Sequence, residues 1–251
     1  MLNNLVLLRW MNKAEIISTL KKDLQSIQGL RQVNNNMLDE ALWFFKDAFP
    51  AGKIPLACVH EFQAFNAEDM AASRGFISAV LSSLVLENNI AVWISHQQDH
   101  FPSALSKFSL SPDRFLFVRH SNEKELLWVA EEFLKYSQLT ALVAEFKKLD
   151  FTASRRFQLA VEKSKVTAFI LRTDAGKIAN NSSVSRWQVK SIPSLTNNDL
   201  PGVGYPAWEV ALLKMRNGKP LTVEVECRNG KLHLLKKQKA MLIHPHKKAT
   251  G

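Results

Sequence analysis

Apolar positions along the chain alternate between short continuous runs and longer segments in which they recur every three or four residues. Ile16, Leu20, Leu24 and Ile27 recur at helical spacing with Lys21, Lys22 and Asp23 outside, which predicts a helical arm over residues 1–35. A second short helical stretch, residues 37–49, carries Leu42, Phe45 and Phe49 and is closed by Pro50 and Gly52. A steady beat of strand and helix follows. Residues 55–60 (PLACVH) read as a strand that feeds a loop, and the loop feeds a long helix with Met70, Ile77, Val80, Leu81 and Leu84 on one face. Asn66 is placed to cap that helix, with Glu68 and Asp69 in the first turn where the helix dipole favours acids. Strands follow at 90–95 (IAVWIS), 115–119 (FLFVR), 139–145 (LTALVAE) and 166–172 (VTAFILR). Helices are expected at 123–136, with Asn122 and Glu125 spaced like a capping box, and at 153–164. Continuous apolar strands separated by helices indicate an α/β fold with a mostly parallel sheet covered on both faces.

Beyond Arg172 the pattern changes. Residues 173–185 are polar and loop-like, a strand at 186–190 (RWQVK) follows, and a second loop surrounds Pro193 and Pro201. Apolar alternations at 208–216, 221–227 and 231–235 are separated by Asn217-Gly218 and Asn229-Gly230, which are strong hairpin signals. The expected organisation is a helical arm (1–35), an α/β core (36–175), a hairpin-rich antiparallel section of the same domain (176–235) and a basic tail (236–251).

Composition narrows the class. Hydrophobic residues at 46% support a sizeable core, and 9 glycines and 9 prolines argue against a disordered or fibrous chain. No apolar run approaches the ~18 residues of a membrane span, and the opening MLNNLVLLRW lacks a cleavage-site pattern. Cys58 and Cys227 each lie in an apolar strand-like run, as buried free thiols of a reducing cytoplasm do. The net charge of +10 is uneven: residues 1–146 hold 13 Lys/Arg against 16 Asp/Glu, whereas 147–251 hold 20 against 7. Such asymmetry suits an anionic partner for the second part, nucleic acid first, and equally suits a solvated basic surface.

The loop after the first core strand is where a nucleotide-binding protein of the recombinase type keeps its phosphate-cradling loop. Here residues 60–70 read HEFQAFNAEDM, with no glycine, no lysine and three acids. A P-loop needs glycines to let backbone N–H groups close on phosphates, a Lys to reach them and a Ser/Thr for magnesium. Gly52-Lys53 precedes the strand and is followed by Ile54, so it reads as a turn. Glu145 ends its strand where a recombinase-type ATPase places a magnesium-associated acid; without a P-loop, an ion pair with Lys147 or Lys148 is the simpler expectation. His96 and His100 have zinc-protease spacing, but the base position is Gln97 and Pro102 follows, and His244 and His246 are no stronger, so no metal is expected. Cys58 and His60 share a strand face, which buried packing explains. Neither a catalytic residue nor a cofactor emerges.

Arg155, Arg156, Arg172, Arg186, Lys190, Lys214, Arg216 and Lys219 are the pieces of a basic face, with Trp187, Tyr205 and Trp208 interleaved. Basic and aromatic residues together suit single-stranded DNA, where bases stack and phosphates are neutralised. Trp187 and Trp208 fit equally well as core residues at strand starts.

Four stretches carry a resemblance: 49–62 (FPAGKIPLACVHEF), 149–172 (LDFTASRRFQLAVEKSKVTAFILR), 186–194 (RWQVKSIPS) and 200–220 (LPGVGYPAWEVALLKMRNGKP). In this order they resemble the ImuA family, over about residues 38–235. The resemblance implies a RecA-like fold related to the division inhibitor SulA, a degenerate P-loop, and an accessory role in damage-induced mutagenesis and translesion synthesis under the SOS response. Implied partners are an ImuB-like Y-family polymerase relative, RecA and an error-prone replicative-type polymerase. It marks Arg155, Arg156, Arg186, Trp187 and residues 202–206 and 214–218 as signature positions without assigning their roles. The expected activity is contact in the cytoplasm rather than catalysis. Two alternatives stand beside it: a SulA-like inhibitor binding FtsZ, and an ATPase with an atypical phosphate site.

Overall fold

A computed structural model describes residues 36–85, 89–96, 102–173, 181–194 and 204–235. The expected helical arm at 1–35, the tail at 236–251 and His100 lie outside the described residues. One nine-stranded mixed sheet organises the chain, in the order β3-β2-β4-β5-β1-β6-β7-β8-β9. The strands are β1 (Val59–Gln63), β2 (Ala91–Ser95), β3 (Phe115–Arg119), β4 (Ala141–Phe146), β5 (Thr167–Arg172), β6 (Ser185–Ile192), β7 (Ala207–Met215), β8 (Leu221–Arg228) and β9 (Lys231–Leu234). Pairings from β3 across to β6 are parallel, and β6 to β9 are antiparallel. The α/β class and the antiparallel C-terminal section are therefore as the sequence pattern indicates.

Helices cover both faces of the parallel part. A short α1 (Asn36–Ala41), two 3-10 turns and the long α2 (Ala67–Leu81) pack on one face, while α3 (Glu123–Leu134) and α4 (Phe151–Ser164) pack on the other. Period-two alternation sets which residues meet which layer. Cys58, Phe62, Trp93, Val143, Phe169 and Trp187 face α2, whereas Val59, Ile94, Leu142, Ala144, Ala168 and Ile170 face α3 and α4. Trp187 sits at the centre of an aromatic cluster, stacked on Phe62 at 5.9 Å and edge-on to Phe45 at 5.1 Å. Gly75 lets the Trp208 ring lie against α2, since a Cβ there would stand 2.7 Å from its Cζ2. Both Asn-Gly pairs close hairpins: Asn229 and Gly230 take positive φ at 49° and 77°, and Asn217 takes 59°.

One element departs from the sequence reading. Residues 55–58 are not strand; β1 runs over 59–63, all of it buried, so the polar stretch His60-Glu61-Phe62-Gln63 is a central strand rather than the start of a loop. The connection to α2 shrinks to Ala64, Phe65 and Asn66. Buried partners on both neighbouring strands make this possible. Arg172 of β5 lies with its Nε 3.0 Å from Glu61 Oε1, and Arg186 of β6 with its Nε 2.8 Å from Oε2, so one interior carboxylate is held by two guanidiniums.

Candidate functional site

The parallel strands end together beside the amino terminus of α2, and there a cavity of about 400 Å³ opens. Open α/β sheets place their ligand crevices at such strand ends. Its walls are Phe65, Asn66, Ala67, Met70 and Arg74 from the turn and α2, His96 after β2, Glu145, Phe146 and Lys147 at the end of β4, and Thr173 after β5. Asn66, Met70 and Arg74 recur at i, i+4, i+8 and so share one face of the helix.

Side chains of the turn and first helical turn cap the amino terminus of α2. Asn66 Oδ1 accepts from the Asp69 N–H at 2.7 Å, and Asp69 Oδ2 accepts from the Phe65 N–H at 3.1 Å. The two bonds resemble a capping box whose return bond goes to the residue before the cap, and they place a carboxylate where an anion would otherwise be attracted. The three-residue turn holds neither glycine nor lysine. Ala64 donates its N–H to Arg172 O at 2.9 Å, so that amide also points away from the cavity.

The strand-end acids are likewise engaged. Glu145 takes a bidentate pair from Arg74, Nε to Oε1 at 2.9 Å and Nη2 to Oε2 at 2.6 Å, and accepts the Trp93 indole N–H at 3.0 Å. The expectation of an ion pair with Lys147 or Lys148 is corrected: both lysines are exposed, and Arg74 reaches Glu145 from α2. Glu123 opens α3, pairs with His96, and accepts the backbone N–H groups of Lys147 and Lys148 at 2.8 and 3.2 Å. The crevice is therefore walled by side chains already paired with one another, over an apolar floor of Phe65, Met70 and Phe146.

On the α2 face of β1, His60 and Cys58 lie buried with Nε2 and Sγ 3.5 Å apart. Trp187 Nε1–H can only donate, so Ser185 Oγ accepts it at 2.6 Å and turns its own hydrogen to His60 Nδ1, also at 2.6 Å. His60 Nε2–H then donates to Pro55 O at 2.9 Å. Burial pushes the imidazole pKa down to about 4 and the Cys58 thiol well up. A neutral histidine with both nitrogens spent and an inert thiol make a structural relay, not a nucleophile–base pair.

The nine candidate contact residues do not form one surface. Arg172, Arg186 and Trp187 are buried, the arginines on Glu61 and the indole in the aromatic cluster, so they are removed from any contact face. Arg155 and Arg156 are exposed on α4, and Arg156 pairs with Glu131 of α3. Lys190 is exposed near the carboxyl end of β6, in register with Glu209. Lys214, Arg216 and Lys219 lie at the opposite end of the β6–β7 pair, where Arg216 Nη2 donates to Ser182 O at 3.2 Å. Glu209 and Glu224 lie in register with Lys190 at its end of the strands, and Glu226, further along β8, is buried and paired with Arg228. Of the interleaved aromatics, Trp208 is core, while Tyr205 is exposed with the Arg228 guanidinium 5.3 Å from its ring centroid. Sequence reasoning paired His60 with Cys58 and read both as buried packing, but did not single out Arg74 or Ser185. The one signal for Arg74 was a single base on an otherwise apolar helix face.

Two relatives are named Protein ImuA, from two strains of Caulobacter vibrioides, NA1000 / CB15N and ATCC 19089 / CIP 103742 / CB 15. Each is 32% identical over 184 residues, which is 68% of this chain and 75% of the relative. No family model matches the chain.

Proposed function

The chain belongs to the ImuA family, and from that premise we propose that it is a non-catalytic, RecA-like accessory protein of damage-induced mutagenesis and error-prone translesion synthesis. It works in the cytoplasm as a scaffold, bringing together an ImuB-like Y-family polymerase relative, RecA and an error-prone replicative-type polymerase, with single-stranded DNA as a further contact. The observation that carries this reading is the self-capped start of α2, where Asp69 holds the position a phosphate would need and Glu145 is committed to Arg74 and Trp93. A carboxylate at that point repels a triphosphate, and an acid locked to a guanidinium has no free oxygen face for magnesium. A protein with this frame and without that chemistry is left with surfaces, and surfaces bind. Exposed Arg155, Lys190, Lys214 and Lys219 remain the candidate contacts for DNA or for an acidic partner surface.

The test is complementation in the source cell. Deleting the gene is expected to lower the mutation frequency after DNA damage, and the wild-type chain and Glu145→Gln are expected to restore it equally. Restoration by wild type but not by a folded Glu145→Gln, together with submillimolar magnesium–ATP affinity, would overturn the non-catalytic reading.

A further inference from the structure

The amino ends of β1 and β6 lie at the opposite end of the sheet from the crevice, beside the turn that joins β7 to β8. Lys214 and Lys219 flank this turn and are exposed, and Arg216 within it is half-buried. The turn is fixed against the segment that precedes β1. Lys219 N–H donates to Ala48 O at 3.0 Å, and Gly218 lies so close to the same carbonyl that a Cβ on it would collide. Lys46, two residues before Ala48, is exposed. Its N–H donates to Trp43 O, and side chains three apart in a 3-10 turn eclipse one another, so Lys46 and Trp43 share a side. The Trp43 ring is 52% exposed and sits edge-on to Phe44 at 5.9 Å.

Among the described residues none of these four cations is in an ion pair. Arg216 is positioned without being neutralised. Its backbone N–H donates to Val184 O at 2.8 Å and its Nη2 to Ser182 O at 3.2 Å, both neutral acceptors. The rest of its N–H fork has no partner among the described residues, and such a fork suits a phosphate. Glu40 and Asp47 are the exposed acids of this region, and Asp39 is held by Lys53 at 3.0 Å, so the balance is four cations against two acids. The charge asks for an anion, and the ring says which kind. A protein interface is built on an apolar centre of several side chains, but Phe44, Phe45, Ala48, Phe49 and Met215 are all buried here. One exposed indole among cations matches a single strand of nucleic acid, in which every base offers a flat face and every sugar a phosphate. A duplex hides those faces.

We propose that this end of the sheet binds single-stranded nucleic acid, with Trp43 stacked on a base and Lys46, Lys214, Arg216 and Lys219 on the phosphates around it. This rests on the reading that the chain contacts DNA and gives that contact a place; the recruitment of polymerases does not depend on it.

The test is fluorescence anisotropy of a labelled oligothymidylate of about 20 nucleotides, titrated with the full chain at several salt concentrations. Wild type is expected to bind, with log affinity falling against log salt at a slope of about −3, as four phosphate contacts on a single strand require. Lys214→Glu combined with Lys219→Glu is expected to weaken binding about tenfold or more and to flatten that slope. Trp43→Ala is expected to weaken it about fivefold or more with the slope unchanged, and Trp43→Phe, which keeps a flat ring, to restore most of the loss. Lys231→Glu on the distant β9 is expected to change nothing. No binding by wild type at about 50 mM salt overturns the proposal while leaving the scaffold role to its own test. Binding that survives the double charge reversal, or that survives Trp43→Ala, overturns it as well. Equal competition by poly-glutamate overturns it in favour of an acidic protein partner.

Discussion

Two buried ionisable residues of β1 set much of the molecule's behaviour at the scale of the single side chain. His60 is held neutral with a pKa lowered to about 4 from an ordinary 6.5, because charging it would cost its buried surroundings. Its contribution to stability is therefore complete above pH 6.5 and is lost as pH falls through 4, about 3 kcal/mol over that window. Urea unfolding at pH 7.5 and pH 4.5 checks this: wild type is expected to lose most of that increment, and His60→Gln to start lower and show a flatter slope. Glu61 carries the other consequence. Glu61→Gln leaves two buried guanidiniums with a neutral partner, and breaking such a group costs about 3–5 kcal/mol. Glu145→Gln, against the partly exposed Arg74, is expected to cost only about 1–2 kcal/mol. Equal urea midpoints for the two variants would contradict the interior placement of the Glu61 triad. Buried packing of His60 beside Cys58 was legible in the sequence, whereas the interior place of Glu61 was not. A Glu between His60 and Phe62 reads as a loop acid, because the arginines that neutralise it arrive from β5 and β6, far along the chain.

Among the elements, those with a strong local pattern were legible. β3 was expected at 115–119 and forms over Phe115–Arg119, and Asn66 caps α2 as its spacing suggested. β1 was misplaced because its identity depends on neighbours on both sides, not on its own alternation. The centre of α2 gives a prediction in which packing opposes propensity. Alanine is a better helix former than glycine by roughly 1 kcal/mol, yet Gly75→Ala puts a methyl 2.7 Å from Trp208 Cζ2. Overpacking of this kind costs about 1–3 kcal/mol, so Gly75→Ala is expected to lower the thermal midpoint and shift the tryptophan fluorescence. A stabilised Gly75→Ala would contradict the close packing of β7 on α2. At the helix start, Asn66→Ala is expected to cost about 1 kcal/mol through loss of the cap, seen as a lower urea midpoint without a change in slope.

Over the whole molecule, the charge asymmetry of the sequence proved to be a poor guide to surface. Arg172 and Arg186 count towards the basic second part, yet both are consumed inside by Glu61, and among the described residues the exposed candidate bases are divided between α4 and the two ends of the β6–β7 pair. Sequence runs report charge along the chain; a sheet whose order brings β1 between β5 and β6 redistributes it. The crevice at the strand ends was legible in part. The absence of glycine and lysine after β1 was visible at once, whereas the pairing of Arg74 with Glu145 required the fold that brings α2 across β4. The proposed role of this ImuA-family member is work by contact, with a crevice walled by its own paired side chains. Affinity co-purification of the tagged full chain from DNA-damaged cells of its own source, with partners identified by mass spectrometry, puts that claim to the test. Recovery of an ImuB-like polymerase relative, RecA or an error-prone polymerase is the predicted result, and recovery of FtsZ alone would contradict it.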